Sequence, residues 1–440
     1  MKKFVCILLS ALLAALCLAA CGGGDTPATS AAQDGGSAPA AGGADNDAPA
    51  TGDQVVLTWQ SWDPVEKYQP VIDAYEAQNP NVKIEYQQVA DYLTKIFTEA
   101  SAGELPDLIA CQVGYTQSFA DAGILEELDV AELQGLPDYN YADFWETTLD
   151  YAMYQGKLYG LPVDGGNYAY VYNKKIFDEY DITVPEDGFT WEEFVEVAVQ
   201  LTDEASGRWG TMMNDLGLKT YLPAIWQNGG QYLNETDDKC MLGEAAAVEA
   251  VQWVKDLYAT HKVMPALEKL NEGTVPIVGM LNSGTIAMGR VALWETLKLE
   301  DSDVLDWQVM HSPKGKGGHG EVLYVNTLSI SASSQQKELA KEFLLFVTSE
   351  EGQRLLLENT SDPQIASRKA LTQVAIAPLP EGKNAEVFMD ALEYCTWMPN
   401  VLTVNEQLEA VTQELDRIWY DGEDVATVLA DAAAKVDGLL

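Results

Sequence analysis

Val55-Val56-Leu57-Thr58-Trp59 is a β-branched and apolar run, and the residues behind it change hydrophobic period twice before residue 88. The run reads as a buried strand. Gln60-Ser61-Trp62-Asp63 ends it, with Asp63 placed to cap a helix and Pro64 suited to its first position. Val65, Tyr68, Val71, Ile72 and Tyr75 then recur at helical spacing until Asn79-Pro80 stops them, and Val82-Lys83-Ile84-Glu85-Tyr86 alternates as a second strand. A helix over Tyr92–Ala102 follows, Gly103 and Pro106 break it, and Leu108-Ile109-Ala110 forms a third short strand. Strand, helix, strand, helix, strand implies a parallel sheet with right-handed crossovers, and hence an α/β fold.

Further along, Gly156–Pro162 reads as a turn and short strand, and Tyr168–Asn173 as another strand. Thr190-Trp191-Glu192-Glu193 is a capping box, in which the Thr190 hydroxyl and the Glu193 carboxylate satisfy reciprocal backbone donors. Gly229-Gly230 ends a helix that begins near Pro223, Ala245–Tyr258 is helical, Thr285–Met288 is strand-like and Val322–Ser331 alternates as a strand. Ser333-Ser334-Gln335-Gln336 is placed to cap a helix containing Leu339, Phe343, Phe346 and Val347, and most of residues 385–440 reads as helix.

The N-terminus has a different character. Lys2 and Lys3 precede an apolar stretch from Phe4 to Leu18, and Leu18-Ala19-Ala20-Cys21 follows. A basic start, a short apolar core and a small-residue exit describe an export signal, too short to span a bilayer. With a cysteine directly behind, it resembles the lipobox of bacterial lipoproteins, which implies cleavage before Cys21 and lipid on that residue. Residues 21–53 are rich in Gly, Ala, Ser, Asp and Pro and read as a flexible tether.

The chain has 440 residues, 47% of them hydrophobic, enough for two domains beyond the tether. Its net charge of −42 excludes a nucleic-acid partner, since phosphate binding needs clustered Lys and Arg, and leaves membrane attachment to the anchor. Three cysteines remain beyond Cys21, namely Cys111, Cys240 and Cys395, far apart and without metal-ligand spacing, and are expected as buried, unpaired thiols. His311 and His319 bracket a Gly/Lys loop that lacks the pattern of a phosphate-binding loop, so neither a metal nor a cofactor is expected.

The order of motifs resembles the family 1 extracellular solute-binding proteins of ABC importers, the group containing maltose-binding protein. The resemblance rests on Gly103-Glu104-Leu105-Pro106-Asp107, on Phe119 to Leu128, on Gly156-Lys157-Leu158-Tyr159-Gly160-Leu161-Pro162 and on Tyr172-Asn173-Lys174. Pro185 to Phe194, Gly284 to Met288 and Lys337 to Leu344 complete it, seven pieces in order over most of residues 54–350. It implies a two-lobed periplasmic-binding-protein-like fold (type II), its lobes joined by hinge strands with the ligand in the cleft. The N-terminal lobe would comprise residues 54–165 plus 325–362, and the C-terminal lobe 166–324 plus 363–440. It also implies a monomer that delivers a carbohydrate, an oligosaccharide, to ABC transporter permease subunits.

Sugars present hydroxyl edges and weakly apolar faces, so a cleft for them needs aromatic plates and planar polar groups. The chain has 11 Trp and 20 Tyr against 10 Phe, an excess that suits wet aromatic surfaces. Loops after strand ends are the places to look in an open α/β sheet. Gln60, Ser61, Trp62 and Asp63 follow the first strand, and Gln112 follows the third, where a carboxylate is expected in a maltose binder. Asp164, Asn167 and Tyr168 lie at the first inferred crossover, Trp226 and Asn228 precede Gly229-Gly230, and Trp294 and Glu295 follow the strand-like Ala287-Met288. Arg368 and Trp397 lie in and after the last crossover. Asp63 serves equally as a helix cap and Trp226 equally as core, whereas Trp294 and Asp164 are the favoured contacts. The rival readings are a secreted carbohydrate-active hydrolase, which needs a carboxylate pair about 5–9.5 Å apart, and a binder of a polyamine or amino acid. The motif order and the absence of a Gly-x-Ser-x-Gly nucleophile motif favour a binder over an enzyme.

Overall fold

Three parallel strands open the fold, as the alternation of periods requires. β1 (Val55–Ser61) pairs with β2 (Val82–Gln88) on one side and β3 (Leu108–Cys111) on the other, all parallel. The computed structural model describes residues 54–112, 114–214, 217–265, 277–360, 362–396, 399 and 401–440. Trp397, Cys21 and the leader and tether segments lie outside them. The helix Val65–Gln78 buries Tyr68, Val71, Ile72 and Tyr75 against the sheet, the residues its period singles out. Burying side chains of this size contributes about 1.5–3 kcal/mol each.

Two short strands, β4 (Met153–Tyr154) and β5 (Lys157–Leu158), form a hairpin around Gly156. The two expected strands on either side of residues 163–168 are one. β6 (Leu161–Asn173) runs unbroken for 13 residues, with a register shift between Pro162 and Asp164. The partner strand carries the ladder through Gly165 and Gly166. That partner is β9 (Glu321–Ile330), antiparallel to both β6 and β3. Beyond Asn167, β6 changes neighbours and pairs with β7 (Met288–Ala292) and β8 (Trp307–Met310). β10 (Cys395–Thr396) pairs with the start of β9.

β6 and β9 thus run through both lobes of the molecule. On one side, a core of Leu57, Trp59, Tyr68, Leu108, Leu161, Leu328 and Phe343 lies beneath the parallel strands. On the other, a larger core gathers Val171, Phe194, Tyr221, Val251, Val291, Trp307, Phe388 and Leu415. The C-terminal helices Val404–Tyr420 and Val425–Asp437 belong to the second.

Local expectations differ from the structure in three places. The strand-like segment lies later than residues 285–288, because Gly284 turns with φ +70° and the ladder begins at Met288. Ser334 does not cap the helix Lys337–Val347, whose N-cap Gln336 makes no side-chain capping bond. Its hydroxyl donates instead to Asp107 at 2.6 Å, and Asp107 also accepts from the backbone and hydroxyl of Thr58 on β1. Asp63 does not cap the first helix either, because Pro64 takes the cap position and Asp63 falls one residue too early. The capping box at Thr190 and Glu193 forms as expected, and Cys111, Cys240 and Cys395 are buried free thiols. Among the described residues no helix is long and apolar enough to cross a membrane.

Candidate functional site

Where β6 and β9 cross between the lobes, the register places Asp164 opposite Asn326 and Gly166 opposite Tyr324. Side chains two apart on a strand share a face, so Asp164, Gly166 and Tyr168 line one side with Tyr324 and Asn326. Trp294 follows β7 on a single-turn helix, Leu293–Lys298, that folds its indole back over this face. The edge of the ring comes up against Gly166, where a Cβ would stand 2.4 Å from its Cε3 and 2.6 Å from its Cζ3. Tyr168 meets Trp294 edge-on at 5.5 Å and 73°, and Tyr324 meets it at 5.8 Å and 86°. All three rings are half-buried. They make an aromatic floor.

At the other end of the same face the chemistry is ionic. Lys67, one turn into the first helix, sits 2.7 Å from Asp63 and 3.0 Å from Asp164. The Tyr68 hydroxyl lies 3.0 Å from a carboxylate oxygen of each acid, and Asn326 Nδ2 donates to Asp164 at 2.6 Å. Burial alone would lower the Lys67 pKa, but Asp164 and Asp63 together hold it above the usual lysine value. Burial, reinforced by the same two acids, pushes the Tyr68 phenol well above its ordinary range. At neutral pH Lys67 is therefore a cation and Tyr68 a donor. An ammonium has three donors, and two acceptors within the chain engage Lys67. From Asp164 to Tyr168 the face extends about 13 Å, at the rise of a strand.

A second aromatic group stands at the ends of β1 and β3. Trp62 meets Tyr92 edge-on at 5.2 Å and Tyr115 at 5.9 Å, and Tyr92 and Tyr115 stack at 6.2 Å. Behind them Gln60 is buried and donates to Gln87 and Glu99, while its carbonyl accepts from Tyr92. Ser61 is buried and accepts from the Asp63 backbone. Gln112 leads into the helix Tyr115–Asp121, its carbonyl accepting from Tyr115 N at 2.9 Å. Gly114, at φ +82°, lies so near Asn405 of the other lobe that a Cβ would fall 2.7 Å from its amide nitrogen.

The structure thus gathers Asp63, Asp164, Tyr168 and Trp294 along one face and sets Trp62 in a second aromatic group, with Gln60, Ser61 and Gln112 near the strand ends beside it. The other expected residues lie elsewhere. Asn167 is fully buried and donates to Phe388 O at 2.7 Å, tying β6 to the second lobe. Asn228 ends the helix Leu218–Gln227 and donates to Ala246 O and Glu249. Trp226 packs on the second core beside Gly320. Glu295 faces Lys298 at 4.0 Å. Arg368 is 1% exposed. Its guanidinium donates to Thr348 O at 2.7 Å and Asn140 O at 3.1 Å, and stacks over Phe144, so it fastens the first lobe and is closed to a ligand.

Lys67, Tyr115, Tyr324 and Asn326 were not expected. Lys67 four residues after Asp63, and Tyr324 and Asn326 two apart on a strand, are the signals in the sequence that mark them. His311 and His319 do meet, but around Tyr394. His311 Nδ1 lies 2.8 Å from the Tyr394 hydroxyl, and His319 Nδ1 donates to Ser312 O at 2.9 Å. Among the described residues no cluster of three or more His, Cys, Asp or Glu could hold a metal.

Comparison with known proteins gives a consistent picture. Residues 61–354 match the family described as bacterial extracellular solute-binding protein. An uncharacterised lipoprotein of Streptomyces antibioticus is 26% identical, over 69% of this chain and 68% of its own. An arabinooligosaccharide-binding protein of Bacillus subtilis is 25% identical, over 66% of this chain and 68% of its own. Among solved structures, an ABC substrate-binding protein from Listeria monocytogenes in complex with cycloalternan superposes with TM-score 0.76 at 23% identity, covering 88% of this chain and 99% of that one.

Proposed function

The chain belongs to the bacterial extracellular solute-binding proteins, and we propose that it captures a carbohydrate, an oligosaccharide, between its lobes and delivers it to an ABC importer. The observation that carries this reading is the floor of Tyr168, Trp294 and Tyr324, half-buried rings that run along one strand face into Lys67 and Asn326. Aromatic faces take the C–H side of a sugar, and the amide and ammonium take its hydroxyls. The length of the face suits several sugar rings in a row. The similarity to an arabinooligosaccharide-binding protein supports the same class.

The ligand-contacting residues in this reading are Trp62, Lys67, Tyr115, Asp164, Tyr168, Trp294, Tyr324 and Asn326. Asp164 acts mainly by orienting its neighbours, since Tyr68, Lys67 and Asn326 already occupy its oxygens. The lobes divide near residues 165 and 325 and again near 362, the monomer binds without turnover, and permease subunits receive the cargo. Leu18-Ala19-Ala20-Cys21 fixes the protein outside the membrane through lipid on Cys21, which keeps the binder at high effective concentration beside its transporter.

Thermal-shift titration against neutral oligosaccharides, polyamines and amino acids tests the reading, because a bound ligand raises stability by mass action. A shift with a saccharide and no product on chromatography is expected. Release of reducing ends would make the protein a hydrolase, and a shift only with amines would replace the ligand class. For the anchor, Cys21→Ala is expected to move the protein into the medium; retention in the membrane fraction would remove the lipid.

A further inference from the structure

Farther along the same strand face a buried ion pair joins two strands across a third. Arg290 stands on β7 opposite Tyr170 of β6. Its guanidinium reaches past β6 to Glu321, the first residue of β9, with Nε 2.9 and 3.0 Å from the two carboxylate oxygens and Nη2 bonded to one of them. Glu321 is fully buried and also accepts from Ser312 Oγ at 3.0 Å and from Val322 N at 2.7 Å. The guanidinium carbon lies 3.9 Å from the centroid of Tyr168. A desolvated cation against a ring face is among the stronger contacts an aromatic can make.

The surroundings decide what sets the cation's position. A cavity of about 40 Å³, lined by Tyr170, Gln227, Trp253 and the pair itself, adjoins the guanidinium, so packing does not confine it on that side. Glu321 does. Tyr168 meets Trp294 edge-on and Tyr324 at a tilt, and the planar cation is the group stacked on its face, the contact that bears on the plane of the ring.

We propose that Arg290, held by Glu321, is a positioning residue for ligand recognition: it fixes the plane of Tyr168 against Trp294 and so sets the shape of the aromatic floor. This deepens the carbohydrate reading and rests on it. The ligand meets the ring, and Arg290 acts on it from the next position along the same face.

The test uses R290M/E321Q, which removes both charges and leaves none unpaired, combined with Y168L in a double-mutant cycle and with maltotriose as the probe. R290M/E321Q is expected to fold, to show the Tyr168 ring displaced in its crystal structure, and to lose about tenfold in affinity, the worth of one such contact. In the Y168L background the same pair of changes is expected to cost nothing further. An unmoved ring, or an equal loss in both backgrounds, overturns the proposal. If R290M/E321Q does not fold, R290K carries the comparison, since it keeps the charge and loses the planar face. Failure of the carbohydrate reading looks different: wild-type protein binds no saccharide, and the position of the ring alone then decides the role of Arg290.

Discussion

Lys67 and Arg290 are both cations held against carboxylates beside β6, yet their surroundings differ. Lys67 divides its charge between Asp63 and Asp164, and its side chain is 15% exposed. Arg290 commits to Glu321 alone, with the two side chains 7% and 0% exposed. The ammonium is a point charge on a flexible stem with a donor to spare, whereas the guanidinium is a flat plate locked in a fork. In the proposed reading one reaches a ligand and the other holds up a ring, so that the same strand face ends in a recognition group on one side and a prop on the other.

Breaking the prop from one side has the largest expected effect. Glu321→Gln alone leaves Arg290 charged and buried without its partner, which costs about 3–5 kcal/mol of stability, while R290M/E321Q together costs far less. Urea unfolding measures both. A single variant as stable as wild type would mean that the pair is not desolvated, and the contrast with Lys67 would disappear.

Trp294→Ala removes the plate without touching the ladder. Saccharide affinity is expected to fall by about 1–3 kcal/mol, with the melting temperature nearly unchanged. Calorimetry that finds equal affinity takes Trp294 out of the site. Lys67→Met sharpens the other half of the comparison. It leaves Asp63 and Asp164 facing each other, with an expected stability loss of about 1–2 kcal/mol, and it also weakens the ligand. Loss of stability with full affinity would make Lys67 a prop as well.

The smallest effect lies where the Arg290 pair touches the histidines, through Ser312, which donates to Glu321 and accepts from His319. Burial lowers the pKa of both His311 and His319 below the ordinary 6.5, against the raising influence of Asp187 and, at His311, Asp390. The folded chain then binds fewer protons than the unfolded chain just below pH 6.5. Their contribution to stability is complete above that value and is lost as pH falls from it through the folded values. The imidazoles are partly exposed, so the loss is expected to stay under about 1 kcal/mol. Melting curves of wild type and H311N/H319Q across this range should diverge, the wild type falling further on acidification. Parallel curves would show that the histidines are not coupled to stability.

The fold was legible in the sequence wherever structure is local. The first three strands, the helix between each pair and the Thr190 cap follow from period and capping chemistry within a few residues. The site was legible only in part, because its bonds span long separations. Asp63, Lys67 and Asp164 meet across about a hundred residues, and nothing near Arg290 signals Glu321 on another strand. Arg368 shows the opposite error. Its position near a crossover suggested a ligand contact, but backbone carbonyls of Thr348 and Asn140 hold it in the interior. Two strands were expected where β6 is one, and within it Gly165 and Gly166 allow close approach by Tyr324 O and by the Trp294 ring.

Gly166 has one more consequence. The edge of the indole comes up against a residue with no side chain, so the ring stands as close to the strand as bare backbone allows. A single methyl there would push the indole edge outward like a wedge behind a door, and would reshape the aromatic floor without any change to the groups that line it. In the proposed reading, tuning ligand size therefore starts one layer below the surface the ligand touches.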